Sequence, residues 1–518
     1  MNKLALTAFN RDYQVYLFAV ITSLMISLLI GYRDSIINPD GICYLMSAQM
    51  MDSTSIKDAM AFCPQAKWPF YSILIYAFQQ ISHLPYLVSA QILNAILTLT
   101  TVIAFMKIVE TLGANRRIIW IAALIILFDH MFNGLRDNII RDHGFWAFYL
   151  LSVYFLQLWF KKPTWTTAIL WNASLIIATL FRIEGAIFLL IMPFVAFFQF
   201  QQTFFSRMKN FFMLISILVL IVTLFCIKQL WFSDDGAHQL GRVNEIFAQF
   251  QEGWRYIYGR YYAVRTGLLS HVMPAEAAPD VNAIIVFLWL GSYLYNVMLT
   301  LGWASTLLLI YAFKSRAAKI TSPVIIGYLL VNVCMTLGFM AENFFTSKRY
   351  LVALMLILML WLPFAVNDLF KKYKSLPHRL FLIIIAIVFF ASALGGIVEF
   401  GRSKFFIRTA GTWIANEVPN EAKLYSNDFQ LMYYSNHFNK NLFQTSPSYL
   451  QVKDFTNGKW KQYDYLALRL SGKKEGEQVA ILLSELTNVT PMKIFSDKQG
   501  NRIAVYKILQ DQNIKKGK

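Results

Sequence analysis

The sequence predicts a polytopic α-helical membrane protein of about 11 transmembrane helices, followed by a small extracytoplasmic α/β domain. Three observations support this fold class. Hydrophobic residues make up 57% of the 518 residues and charged residues only 15%, whereas a soluble protein carries about 25% charged residues. Apolar runs of about 20 residues, the length with which a helix crosses a bilayer, recur through residues 1–400. Beyond them the chain becomes polar, and short helix-like and strand-like segments alternate.

The apolar runs define the predicted spans, which are 16–32, 84–108, 118–132, 144–160, 168–181, 186–200, 212–231, 284–313, 323–340, 350–370 and 380–398. The first run lacks a small-residue cleavage site, so we expect a retained helix and not a signal peptide. Lys and Arg concentrate in alternate short loops, which predicts a cytoplasmic N-terminus and a periplasmic C-terminal domain. We expect the bacterial inner membrane, with the loops 33–69 and 232–283 outside.

The segment 401–518 is the predicted α/β domain. Residues 422–426, 463–468 and 503–508 have strand-like patterns, and residues 413–418 and 478–486 have helix-like patterns. This segment carries no catalytic motif, and its pattern does not distinguish lipid, polysaccharide or protein as a binding partner.

The net charge of +18 would suggest nucleic acid in a soluble protein. Here much of the excess lies in short loops that Lys and Arg hold on the cytoplasmic side. The remainder favours anionic membrane lipids or a lipid-phosphate substrate. We therefore predict membrane lipids as partners, and no nucleic acid.

Asp40 follows the first span, within Asn38-Pro39-Asp40-Gly41. With the aromatic neighbour Tyr44, it could act as a general base or bind a metal ion. It could equally be a solvated acid at the start of an interfacial helix. The local sequence leaves both interpretations open.

Arg141, Asp142 and His143 form a second charged group, directly before a predicted span. Asp142 could be a helix N-cap, or a second carboxylate of a site with Arg141 beside it for phosphate. A divalent metal ion is the one candidate cofactor, and Asp40, Asp142 and His143 are its candidate ligands. A lone histidine, however, is more often not a ligand.

Two further charged groups lie close to apolar runs. Arg182 and Glu184 are separated from two spans by almost no loop, and charges this near hydrocarbon usually face a bundle interior or a cavity. Lys348 and Arg349 are basic residues on the predicted outer side, against the positive-inside trend. They favour an anion such as a lipid phosphate, although Glu342 could balance one charge.

Cys43 and Cys63 both fall in the first external loop and are candidates for a disulfide. Such a bond would tie the Asp40 segment to the segment around Lys67. The four cysteines of the chain show no CxxC pattern, so a zinc or haem motif is not expected.

These residues together resemble the GT-C glycosyltransferases, in particular the branch of protein mannosyltransferases and the lipid A aminoarabinose transferase. The resemblance covers about residues 13–398 and rests on the order of short motifs. They are Asp40, Lys67-Trp68-Pro69-Phe70-Tyr71, Arg141-Asp142, Phe181-Arg182-Ile183-Glu184-Gly185 and Lys348-Arg349-Tyr350-Leu351.

The resemblance implies transfer of a sugar from a polyprenyl-phosphate donor to an acceptor hydroxyl, with inversion. Asp40 would be the base and Asp142 a second acid near the site. Arg182, Lys348 and Arg349 would bind the donor phosphate.

Further substrate-binding candidates are Tyr44, Lys67, Arg141 and Glu184. Asp40 is a lone acid where many relatives carry an acidic pair, so a metal requirement is not implied.

Two other functions remain open at this point. A polysaccharide polymerase or ligase would have a large external loop rich in Arg and His, and the loop 232–283 is long and carries several Arg. A flippase for lipid-linked saccharides would show paired repeats and broken mid-membrane helices, whereas the charges here cluster at one predicted face.

Overall fold

A computed structural model describes residues 3–32, 36–231, 243–317, 320–398, 404–437, 459–470 and 490–508. The chain forms two compact units, and each combines segments distant in sequence. The first unit comprises Met1–Ile30, Ile92–Arg136 and Arg141–Val398. The second comprises Gly31–Gln91, Asp137–Ile140 and Glu399–Lys518.

The described secondary structure is mainly helical. In chain order the elements are α1 (Lys3–Gly31), α2 (Pro39–Ser53), α3 (Ile56–Ala61), α4 (Phe70–Ser82), α5 (Tyr86–Thr111), α6 (Arg116–Leu127), α7 (His130–Asn133), α8 (Asp142–Lys161), α9 (Trp165–Phe181), α10 (Gly185–Ile191), α11 (Phe204–Trp231), α12 (Val243–His271), α13 (Val281–Leu301), α14 (Trp303–Ser315), α15 (Pro323–Asn343), α16 (Lys348–Leu358), α17 (Leu362–Lys371), α18 (Leu376–Ile397), α19 (Phe405–Glu417), β1 (Leu424–Ser426), α20 (Phe429–Tyr434), β2 (Tyr465–Leu470), β3 (Lys493–Ser496) and β4 (Arg502–Lys507). Short 3-10 helices lie at Pro64–Lys67, Met192–Phe198, Ala275–Asp280, Met359–Trp361 and Lys459–Gln462.

Within the described residues, six helical segments are long and apolar enough to cross a membrane. They are Tyr13–Gly31, Tyr86–Thr111, Glu276–Leu301, Pro323–Asn343, Lys348–Lys371 and Leu376–Ile397. Trp165–Phe181 and Gly185–Phe198 are shorter apolar helical segments. The six agree with the predicted multi-pass architecture, while the count of about 11 stays a prediction. In the predicted span 118–132, α6 already ends at Leu127, and its 12 residues extend over about 18 Å, which is less than a bilayer core.

The predicted span 284–313 is broken at Gly302, between α13 and α14. Gly302 has a φ of +81°, a backbone conformation that favours glycine. A Cβ built on Gly302 would also lie 2.8 Å from Cε1 of His130. Both the backbone angle and the close approach therefore require glycine here.

A four-stranded sheet forms the centre of the C-terminal segment, in the order β1-β2-β4-β3. β1 pairs parallel with β2, and β4 pairs antiparallel with both β2 and β3. β1, β2 and β4 overlap the three predicted strands, and α19 covers all but the last residue of the predicted helix 413–418. The predicted helix 478–486 lies outside the described residues.

Both faces of this sheet are covered, as the alternation along β2 shows. Ala467 points to a core that contains Ile407 and Ile414 of α19, together with Leu431 of α20. Leu466 and Leu468 point to the opposite core, which Trp460 closes. The alternation follows from the two-residue period of a strand.

Candidate active site

The first candidate cluster is an ion-paired triad in the first unit. Arg182 caps the C-terminal end of α9, and Asp142 is the first residue of α8. The guanidinium of Arg182 pairs with the carboxylate of Asp142 through Nη1 and with that of Glu184 through Nη2. Arg182 is 8% exposed and Asp142 is 3% exposed, while Glu184 is half-buried. The predicted site residues Asp142, Arg182 and Glu184 thus meet in one network.

Charge pairing keeps this network ionised. Burial favours the neutral form of Arg182, but the carboxylates of Asp142 and Glu184 outweigh it and hold its pKa well above the usual value. Burial would likewise raise the pKa of Glu184, but Arg182 lowers it to about 2, with a smaller contribution from Arg141. Arg182 therefore carries a fixed positive charge at any physiological pH.

Close packing of α8 against α9 brings the triad together. A Cβ on Gly144 would collide with the ring of Phe181, so a larger residue would push the two helices apart. A Cβ on Gly185 would lie 2.7 Å from the main-chain nitrogen of Thr179. Both glycines adjoin charged members of the triad, and each allows the chain to approach its neighbour closely.

Aromatic rings cover Arg182 and link it to the N-terminus of α16. Its Cζ lies 4.6 Å from the ring centre of Tyr350 and 5.7 Å from that of Phe145. The guanidinium of Arg349 lies 5.2 Å from the same Tyr350 ring, and its Nη2 donates to Tyr350 Oη at 3.4 Å. Lys348 begins α16 and is exposed. The structure therefore brings the Arg349 cation to the same tyrosine as Arg182.

One donor of the triad has no partner in the described part of the chain. The Nε of Arg182 is buried and makes no hydrogen bond there. An unpaired buried donor is destabilising by about 1–3 kcal/mol. A bound water or anion is one explanation for such a group. The helix terminus at Lys348 adds a partial positive charge, so the cluster as a whole suits an anion.

Asp40 belongs to the second unit. It lies in the first turn of α2 and is half-buried, and its Oδ1 accepts a hydrogen bond from Nε2 of Gln65 at 3.0 Å. Cys43 and Cys63 form a disulfide with a Cα–Cα distance of 6.1 Å. Asp40 and Gln65 therefore flank a covalent link, which fixes one carboxylate oxygen against its donor.

The other candidates of this loop differ in accessibility. Tyr44 is 2% exposed, and its ring packs edge-on against Tyr71 with centres 5.1 Å apart. Lys67 ends the 3-10 helix Pro64–Lys67 and is exposed. Lys67 is thus accessible to a ligand, while Tyr44 supports α2 from within the unit.

His143 is buried among protein groups. Its Nε2 lies 3.1 Å from the carbonyl of Leu135, which can only accept, so Nε2 carries the proton. Its Nδ1 lies 3.5 Å from Oγ1 of Thr98, and its ring meets Trp146 edge-on. Both nitrogens therefore face protein groups, and His143 does not suit a metal ligand. No group of three or more His, Cys, Asp or Glu able to hold a metal ion occurs among the residues that the structure describes.

Sequence reasoning did not select Gln65 or Tyr350 as site residues. Gln65 gives no local signal, because an uncharged residue two positions after a cysteine is unremarkable. Tyr350 directly follows two outward basic residues, and an aromatic ring beside arginine is a recognised pairing. That pairing could have singled it out.

The fold is similar to that of solved structures of ArnT and AftD, so the predicted resemblance is confirmed at the level of the fold. ArnT from Cupriavidus metallidurans in the apo state matches with a TM-score of 0.53 and 13% identity, over 95% of this chain and 98% of that chain. The same protein bound to undecaprenyl phosphate gives 0.52 and 13%, over 96% and 98%. Arabinofuranosyltransferase AftD from Mycobacteria gives 0.51 and 11%, over 96% of this chain and 40% of that chain. No protein-family model and no curated protein matches the sequence.

Proposed function

We propose that this protein is an inverting glycosyltransferase of the bacterial inner membrane. It moves a sugar from a polyprenyl-phosphate donor to an acceptor hydroxyl on the periplasmic face. The observation that carries the proposal is the buried, ion-paired Arg182 with an unpaired Nε, beside the cations of α16. The fold is shared with an ArnT structure that holds undecaprenyl phosphate, which supports a lipid phosphate as the anion.

The donor phosphate is the group for which the first cluster is suited. When the glycosidic bond breaks, the lipid phosphate leaves as an anion and gains negative charge. Cations already fixed in place stabilise that charge without reorganisation. Lys348 and Arg349 provide accessible positive charges, and Arg182 provides a rigid one. Asp142 and Glu184 hold and balance Arg182, and Arg141 adds positive charge near Glu184.

The acceptor hydroxyl needs a base, for which Asp40 is the proposed residue. Its carboxylate takes the hydroxyl proton while the acceptor oxygen attacks the anomeric carbon. The bond from that carbon to the phosphate oxygen breaks in the same step. A single displacement of this kind inverts the anomeric centre and needs no covalent enzyme intermediate. Lys67 is a proposed substrate contact, and Tyr44 supports the helix that bears the base.

The test is sugar transfer by purified protein in liposomes, with a panel of polyprenyl-phosphate sugars and a crude envelope acceptor. Asp40→Asn should abolish transfer without altering thermal stability. Asp52→Asn is the matched control, because Asp52 also lies on α2 and accepts a hydrogen bond from a glutamine side chain, Gln80. It should transfer at the wild-type rate.

Equal transfer by wild type and Asp40→Asn would exclude Asp40 as the base. If wild type transfers no sugar but moves a lipid-linked saccharide between leaflets in the same liposomes, the flippase function replaces this proposal. Formation of polymer from a lipid-linked repeat would favour the polymerase.

A further inference from the structure

The main chain just before Asp40 is held by side chains from the C-terminal segment of the second unit. The N–H of Ile37 donates to Oη of Tyr434 at 3.0 Å. The carbonyl of Ile37 accepts from Nε2 of Gln430 at 2.8 Å. The N–H and the carbonyl of Ile37 thus both form hydrogen bonds with side chains of α20, which lies almost 400 residues further along the chain.

The two side chains are themselves fixed. Gln430 is buried, and Asp428 caps the N-terminus of α20, where its carboxylate accepts from the N–H of Leu431. Gly411 of α19 lies so close to Tyr434 that an added Cβ would collide with it. Burial raises the pKa of Tyr434, so its hydroxyl stays protonated. The contact therefore comes from a rigid part of the domain.

The segment between this contact and Asp40 is short and is held at a third point. Asn38 Oδ1 accepts from the N–H of Ile139 at 2.8 Å, and Asn38 Nδ2 donates to the carbonyl of Ile139 at 3.3 Å. α2 then starts at Pro39, with Asp40 in its first turn. Only Asn38 and Pro39 separate Ile37 from Asp40, so a shift at Ile37 is transmitted directly to the carboxylate.

We propose that the C-terminal α/β domain positions the acceptor base, with Tyr434 and Gln430 as the positioning residues. This inference rests on the proposed role of Asp40. It gives the domain a task in the reaction that requires no catalytic motif of its own. Neither residue touches the reacting atoms, and each acts through the backbone of Ile37.

Tyr434→Phe keeps the ring and removes the hydroxyl that accepts from the N–H of Ile37. Gln430→Leu removes the amide that donates to the carbonyl of Ile37. The matched control is Tyr433→Phe, because its ring lies 5.4 Å from that of Tyr434. The Tyr433 hydroxyl makes no hydrogen bond to the described residues. Full-length proteins would be compared by hydrogen exchange of the peptide 36–45 and by steady-state kinetics of sugar transfer.

We expect faster exchange in peptide 36–45 and about a 10- to 100-fold lower kcat for the double variant, because small misplacements of a catalytic group have effects of that size. KM for the donor should remain unchanged, since donor binding does not involve these residues. A merely structural role would instead lower Tm and the amount of active protein, leaving kcat per folded molecule unaltered. Tyr433→Phe should behave as wild type in both measurements.

Unchanged exchange in the double variant would overturn the inference, and so would faster exchange with wild-type kcat. Asp40→Asn, measured alongside, distinguishes a failure of the base assignment from a failure of the positioning role. If Asp40→Asn retains transfer, the base assignment fails and the positioning role fails with it. If Asp40→Asn is inactive while the double variant is fully active, only the positioning role is wrong.

Discussion

Replacing Arg182 by methionine removes the cation that Asp142 and Glu184 share, and we expect a large loss of stability. Asp142 is almost fully buried, so the variant leaves an uncompensated carboxylate inside the protein. Removing one partner of a buried ion pair is destabilising by about 3–5 kcal/mol. Glu184 is half-buried and adds less, because solvent screens it. The variant also loses the contact between the guanidinium and the Tyr350 ring, but a contact between the methionine sulfur and that ring partly replaces it.

The expected change of about 3–5 kcal/mol corresponds to a factor of about 100 to several thousand in the unfolding equilibrium. The assay is chemical unfolding in mixed micelles, followed by tryptophan fluorescence. The second variant, Arg182→Met with Asp142→Asn, removes the uncompensated charge and should recover much of the loss. Arg207→Met is the control, because Arg207 donates to main-chain carbonyls and has no carboxylate partner among the described residues.

Two results would refute this reasoning. One is an Arg182→Met variant that unfolds at the same denaturant concentration as Arg207→Met. The other is a double variant no more stable than Arg182→Met alone. Either would mean that Asp142 does not depend on Arg182 for its charge compensation.

Three further changes test other parts of the structure. Arg182 lowers the pKa of Glu184 from 4.5 to about 2, so ionised Glu184 stabilises the protein fully above pH 4.5. This contribution to stability falls as the pH drops towards 2. Glu184→Gln should therefore show a smaller decrease of melting temperature at acid pH. Reduction of the Cys43–Cys63 disulfide, which spans 20 residues, should destabilise the second unit by about 3 kcal/mol, measurable as a lower melting temperature with reductant. Tyr328→Phe leaves the buried Trp171 Nε1 without its acceptor and should reduce stability by about 1–3 kcal/mol in chemical unfolding.

Each of these has its own control. Glu342→Gln should keep the decrease of melting temperature at acid pH that Glu184→Gln loses. If both variants had the same melting temperatures across this pH range, the stabilising ion pair of Glu184 would be contradicted. Reductant should not change the melting temperature of a protein that carries both Cys43→Ser and Cys63→Ser. A lower melting temperature of that protein with reductant would mean that the effect does not come from this disulfide. Tyr295→Phe, at an exposed position, should be neutral, and a similar loss in both tyrosine variants would contradict the hydrogen-bond argument.

Hydrophobic pattern was sufficient for much of the fold. Long apolar runs mark membrane helices because the bilayer fixes their length, and β2 and β4 are apolar because both faces of the sheet are covered. β3 was missed because most of its residues are exposed and it shows no apolar run. The break at Gly302 was missed because an apolar pattern continues through it.

The candidate site was predictable only in part. Arg182 and Glu184 attract attention because charges beside hydrocarbon are unfavourable without partners. The pairing of Arg182 with Asp142, 40 residues away, is a product of helix packing and has no local signal. The hydrogen bonds that join Ile37 to Gln430 and Tyr434 connect residues still further apart in sequence, and neither side chain gives a local signal.

The discontinuous second unit has a consequence for biosynthesis. Its segments Gly31–Gln91 and Glu399–Lys518 are separated by about 300 residues, which a ribosome needs about 15–60 s to add. During that interval the peptide groups of Ile37 have no access to Gln430 or Tyr434, because those residues have not yet been made. The segment that bears Asp40 can therefore form these hydrogen bonds only after translation has passed Tyr434. A nascent chain that stalls before that point would be inserted in the membrane and still lack the contacts that hold Ile37, and with it the proposed base Asp40.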